Sequence, residues 1–349
     1  MQQDVPEILN KYLQKLEGLA DPELVKHALS VYKDAYEFKP SKEQPVVYQA
    51  DLKSLGDSDW PEFPYNEALK DQGKMLLNEA RNLFVHAQLK DHHSYGIRCN
   101  YGTVILPSIF GVKYDLTETS LPWCAHLESR EEVIALIKKG IPDPYAGLGA
   151  ACFETAGFYM ETLSKYPKLK NMVRIYHPDF QGPFDVAHLI WGHDLMYAIY
   201  DCPELVHELL ALITETYISW IKKWKNFVDD NGEYSAHWDY FIKGGVFLRD
   251  DSAVMISPDQ YEEFVKPYDQ KILDVFGGCI HFCGKGDGFI KSMCQTKNLY
   301  GINCSQPHLN DFELVLRTTR EKRIALVGLV EVFIPKVDTL GIIMARVKK

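Results

Sequence analysis

Short apolar segments recur along most of this 349-residue chain, each separated from the next by a stretch with helical periodicity. Such a chain has few folds open to it. Strand and helix in alternation bring the strands together in parallel and lay the helices over the sheet. The strand-like segments are PVVYQAD (45–51), YGIRCNYG (95–102), MVRIYHPD (172–179), EYSAHWDYF (233–241) running into GVFLRDD (245–251), GCIHFCG (278–284), LYGINCS (299–305) and RIALVGL (323–329). The clearest helix covers 203–230, where apolar residues at 205, 209, 212, 213, 217 and 220 follow Pro203 and Asn231-Gly232 closes the run. No GxGxxG follows a strand, so a dinucleotide-binding sheet has no support. Polar residues gather at or just past the strand ends instead, where a parallel barrel keeps its chemistry. The pattern predicts an α/β protein, a (β/α)8 TIM barrel over residues 45–349, behind an N-terminal helical extension at 1–44. Seven strands are legible; no eighth is visible beyond residue 330, so the last strand is expected to be missing or irregular.

A net charge of −10 argues against a nucleic-acid partner, which calls for a basic face, but leaves room for a small-molecule substrate held by a few local cations. The first twenty residues carry early acids and no apolar core, and no run of about 18 apolar residues exists. Neither a secretory signal nor a membrane span is therefore expected. Eight scattered cysteines form no compact disulfide framework, which points to a reducing, cytoplasmic setting.

The strongest local signal is GGCIHFCGKGDGF (277–289). Residues i and i+2 of a strand point the same way, so His281 and Cys283 can face one point. Imidazole nitrogen and thiolate are ligands that zinc favours, and the glycines that follow leave the space above the strand open. The alternative is a buried structural pair without metal. Zinc also needs a third protein ligand. Cys304, at the end of the next strand, is better placed for this than Cys294 on the intervening helix.

Arg249, Asp250 and Asp251 end another strand, just before a helix that starts at Ser257-Pro258. Two adjacent acids cannot both point inward. One reaches the site as general acid, substrate anchor or metal ligand, and the other meets solvent or Arg249. His177 is a candidate base or ligand, with a hydrogen-bonded structural histidine as the other reading. Asp179 and Gln181 lie on a Pro- and Gly-broken segment that suits a pocket wall. Arg98, Asn100 and Tyr101 after the second strand, Trp238, and Gln306 complete the candidate substrate-binding set. Asn100, His177, Asp250, His281, Cys283 and Gln306 are expected to converge at one mouth of the barrel.

DDSAVMISPDQYEEFVKPYDQKILD (250–274) followed by GGCIHFCGKGDGFIKSM (277–293) resembles the uroporphyrinogen decarboxylase superfamily. DFQGPFDVAHLIWG (179–192) is similar to that family's Gly-Pro-aromatic segment, and LPSIFG (106–111) to its second strand-helix corner. The resemblance implies the same (β/α)8 barrel. His281-Phe282-Cys283 looks like the mark of its zinc methyltransferase branch, whose members move a methyl group between a corrinoid and a thiol. It implies zinc at His281 and Cys283 and a corrinoid carried by a partner. The resemblance to the heme-pathway decarboxylase is weaker. That enzyme's arginine-rich motif has no counterpart in 39–60, its second-strand aspartate none in 100–103 or 106–110, and its pocket tyrosine falls near Leu189. The methyltransferase branch takes its third zinc ligand, a cysteine, from the last strand region, yet 330–349 holds neither Cys nor His. Cys304 or a carboxylate then substitutes, or the chain is incomplete or metal-free. Methyl transfer is the leading expectation. Decarboxylation of a porphyrinogen or small carboxylate, with Asp250 or Asp251 as the working group, is the first alternative. A non-catalytic barrel that binds a corrinoid or carrier is the second, resting on the unseen last strand.

Overall fold

The computed structural model describes residues 4–56, 59–117, 120–335 and 338–347. Ten strands organise it: β1 (Val46–Gln49), β2 (Gly96–Ile97), β3 (Arg174–Ile175), β4 (Tyr234–His237), β5 (Tyr240–Lys243), β6 (Val246–Arg249), β7 (Gly278–Phe282), β8 (Leu299–Cys304), β9 (Ala325–Val330) and β10 (Ile342–Val347). Six of them form one parallel sheet in the order β1-β10-β9-β8-β7-β6, and β2 pairs in parallel with β3. Single backbone bonds bridge the two sets: His92 N–H reaches the Val46 carbonyl, and Gly182 N–H reaches that of Arg249. Eight strands therefore run around a TIM-type barrel, with the helices outside.

Two elements differ from the sequence expectation. The eighth barrel strand exists: β10 pairs with β9 on one side and with β1 on the other, Met344 standing opposite Val46. Its six residues follow Gly341 directly, so no long apolar run announced it. The barrel closes, which removes the ground for the non-catalytic reading. The segment 233–241, read as running into a barrel strand, instead forms the antiparallel hairpin β4–β5 inside the barrel. Its tip residue Trp238 packs 5.0 Å from the Phe247 ring on β6 and 5.2 Å from His281 on β7, and the Tyr240 hydroxyl abuts Gly328 on β9. The hairpin can lie this close because Gly244 (φ +92°) sits against the Gly277-Gly278 backbone, where a β-carbon would collide. Below it, helices Val5–Leu19 and Pro22–Tyr36 form the extension; the Tyr32 ring meets Phe241 edge-on at 5.5 Å, and the Tyr36 hydroxyl reaches the Phe241 carbonyl. Among the described residues, no helix is long and apolar enough to cross a membrane.

Candidate functional site

Strand β7 carries His281 inward and Cys283 follows just past its end. The His281 Nε2 lies 3.1 Å from the Cys283 sulfur and 3.2 Å from Asp251 Oδ1. Asp251 Oδ1 also accepts the Cys283 backbone N–H at 2.9 Å, and the Ser305 hydroxyl donates to the thiol at 3.1 Å. Burial alone would push the His281 imidazole down, but the Asp251 carboxylate and Cys283 thiol reverse this and hold its pKa at about 9. The same contact keeps Asp251 below its ordinary range in spite of burial.

Three groups among the described residues bring ligand-type atoms close together: His27-Glu43-His92, His86-His93-Asp239 and Asp251-His281-Cys283. Proton placement separates them at one histidine of each of the first two groups, although His86, whose Nδ1 meets Asp91 Oδ2 at 2.8 Å, is arranged like His281. A neutral imidazole has one N–H and one lone pair, and the bond at one nitrogen fixes the role of the other. His92 Nδ1 accepts the Val46 N–H, and His93 Nδ1 accepts the Tyr95 N–H. Their Nε2 atoms must then carry hydrogen, donated to Glu43 and Asp239 at 3.0 and 3.2 Å. In His281 the order is reversed. Nδ1 donates to Asn303 Oδ1, so when the ring is neutral its lone pair is on Nε2 and faces Cys283 and Asp251. Nitrogen, sulfur and carboxylate oxygen together make a group that could hold a metal ion.

Strand parity explains the other placements. Arg249 and Asp251 face the interior, while Asp250 points back into the helix layer, buried beside Asp269 of helix Lys266–Phe276 and close to Asp185. Burial and the neighbouring acids push Asp250, Asp185 and Asp269 up. Asp250 is therefore not at the mouth, and it meets neither solvent nor Arg249. Cys304 is in register with Phe282, not with His281, and so turns away from the metal-type cluster; burial pushes its thiol up to about 12. Asp251 stands where Cys304 was expected.

His177 is at the junction between β3 and β6, and both its ring nitrogens are used. Nδ1 donates to the Pro178 carbonyl at 2.8 Å, and Nε2 accepts the Phe247 N–H at 3.2 Å. Burial holds it neutral, with a pKa of about 3, so it ties strands together and has no nitrogen left for catalysis. His177→Ala is expected to cost about 2–4 kcal/mol of stability by leaving a cavity and an unpaired N–H. Urea titration of variant and wild type checks it.

The remaining candidates divide. Arg98 Nη1 donates to Asp179 Oδ2 at 2.7 Å, and Asp179 also pairs with Arg249. Arg249 lies over the Trp238 ring, 4.8 Å from its centre, and donates to His237 Nε2. A charged chain thus runs from the second strand to Trp238 and so to His281. Arg98 and Asn100 also line a cavity of about 730 Å³ with Glu62, Phe63, Tyr65 and Glu79. Tyr101 is buried against Thr155 at 2.8 Å, outside this cavity. Gln181 is buried in the loop after β3; Gln306 is half-buried and its carbonyl accepts from Asn310. Sequence reasoning passed over Asn303, Ser305 and Arg249 as inward residues. An end-to-end alignment of 278–284 with 299–305 sets Ile302 against His281; the register shift between Leu299 and Gly301 brings Asn303 there instead.

Residues 99–332 match the family described as uroporphyrinogen decarboxylase (URO-D). Among solved structures, the chain is similar to a methyltransferase from Methanosarcina mazei, with 17% identity, 90% of each chain covered and a TM-score of 0.61. At that identity the likeness bears on the fold. No curated protein matches the chain.

Proposed function

Because the chain belongs to the uroporphyrinogen decarboxylase family, we propose that it is a zinc-dependent methyltransferase of that family, passing a methyl group between a partner-borne corrinoid and a thiol. The observation that carries this reading is the Asp251-His281-Cys283 group, with the His281 lone pair turned toward the other two. Zinc held there would lower the pKa of a bound thiol and fix it as the nucleophile. The chain's own residues do the rest. Asp251 orients Cys283 through its backbone N–H, Ser305 donates to the Cys283 sulfur, and Trp238 closes the floor beside His281. The cavity at Arg98 and Asn100 offers the small molecule a charged and aromatic wall. The inward-facing acid is engaged with His281 and Cys283 and the other is buried away from the mouth, which speaks against a carboxylate free to grip pyrrole N–H groups.

Protein expressed with ample metal should contain about one zinc per chain by elemental analysis, since one such site is proposed. Cys283→Ser should lose most of it, and wild-type protein should demethylate methylcobalamin in the presence of a small thiol, seen as a change in corrinoid absorbance. Wild-type protein that holds no zinc after such expression rules the reading out.

A further inference from the structure

Resting on that reading, we infer that Asn303 is a positioning residue. It sets which nitrogen of His281 can bind metal, and Gly328 keeps the space in which it does so. Asn303 on β8 stands in register with His281 on β7. Its side chain spans three strands: Oδ1 meets His281 Nδ1 at 2.6 Å, and Nδ2 donates to the Val327 carbonyl of β9 at 2.6 Å. The second bond decides the first. A backbone carbonyl only accepts, so the amide must turn its NH2 toward Val327 and its oxygen toward the ring. An oxygen opposite Nδ1 demands an N–H there, and the lone pair of the neutral ring is left on Nε2. Neither carboxylate nor water is needed for this, because the amide is buried and anchored at both ends.

The anchoring depends on Gly328. A β-carbon at that position would come 2.9 Å from Asn303 Nδ2 and 3.0 Å from the Tyr240 hydroxyl, and its φ of +71° is one that L side chains rarely adopt. Ser305, two residues beyond Asn303, repeats the arrangement one step up by donating to the Cys283 sulfur. The Asn-x-Ser of β8 thus backs the His-x-Cys of β7, residue for residue.

Asn303→Leu removes the acceptor, and Asn303→Asp keeps it while losing the N–H bonded to the Val327 carbonyl. The leucine variant should lose about 10–100-fold in zinc affinity, the usual effect of removing an outer-shell partner, while the aspartate variant regains part of that loss. In the cobalt-substituted protein, the thiolate-to-cobalt absorption band should weaken in the leucine variant and return with aspartate. Folding of each variant is checked by circular dichroism, and the aspartate variant keeps the test alive if leucine does not fold. A well-folded leucine variant with wild-type zinc affinity and cobalt spectrum overturns the inference. Should wild-type protein bind no metal, the metal reading falls by itself. Asn303 is then judged by alkylation of Cys283, whose sulfur faces the His281 ring. Slower alkylation in the leucine variant, restored by aspartate, supports the positioning role, and equal rates in all three proteins refute it.

Discussion

Asp251→Ala is expected to weaken zinc binding by at least about 100-fold, while Asp250→Asn, one residue away, leaves it unchanged. Losing even an outer partner of a metal ligand costs roughly 10–100-fold, and Asp251 is proposed as a direct ligand. The contrast comes from where the two side chains point just past the end of β6, as the chain turns into a 3-10 helix at Asp251. Asp251 Oδ1 lies 3.2 Å from His281 Nε2, whereas Asp250 is buried behind the strand with Asp269. Zinc titration against a competing chelator measures both variants. The reverse ranking, with Asp250→Asn losing the metal and Asp251→Ala keeping it, would falsify the assignment of the third ligand.

The second large effect concerns stability. Asp185, Asp250 and Asp269 come from three elements and are buried together, and burial and mutual repulsion raise all three pKa values. A carboxyl whose pKa is higher in the folded than in the unfolded state binds more protons when folded. Its contribution is complete below about pH 4 and is lost as pH rises through the folded-state value, at roughly 1.4 kcal/mol for each unit of difference. Stability should therefore fall as pH rises from about 4 through about 7, where Asp269 titrates in the folded protein. In metal-free protein His281 adds a fall of the same sign between about 6.5 and about 9, because its folded pKa is also raised. Asp269→Asn separates the two, since it removes one acid and keeps the histidine. That variant should be more stable than wild type at pH 8, by on the order of 2 kcal/mol, and no more stable at pH 4. Urea midpoints at the two pH values decide it; equal midpoints for variant and wild type at pH 8 would rule out a strained acid cluster.

The barrel itself was legible because alternating apolar strands and amphipathic helices leave a parallel sheet as the solution. The pairing of His281 with Cys283 was legible for an equally local reason, the two-residue repeat of a strand. Non-local facts were not. Whether Cys304 or Asn303 faces inward depends on the register between β7 and β8, which no residue in either strand announces alone. A one-residue change of parity exchanges a thiol for an amide. Asp250 and Asp251 posed the same two-way choice, and Asp269, the partner that marks Asp250 as the buried one, lies a helix away. The two readings of His177 could not be told apart, because its partners are backbone groups, which leave no trace in the sequence. The hairpin β4–β5 was taken for barrel wall because its residues are as apolar as a wall strand; only Gly244 and the tight Trp238-Asp239 turn set it apart.

That hairpin has a consequence for traffic. With Trp238, Tyr240 and Phe241 packed inside the barrel and Tyr32 and Tyr36 beneath them, the described residues fill the barrel below the metal-type cluster. Under the proposed reading, the corrinoid that delivers the methyl group and the thiol that accepts it would reach the cluster from the same side. Two bulky visitors cannot occupy opposite ends of the barrel. They must stand side by side at its rim or take turns, and the order of arrival and departure then becomes part of the chemistry.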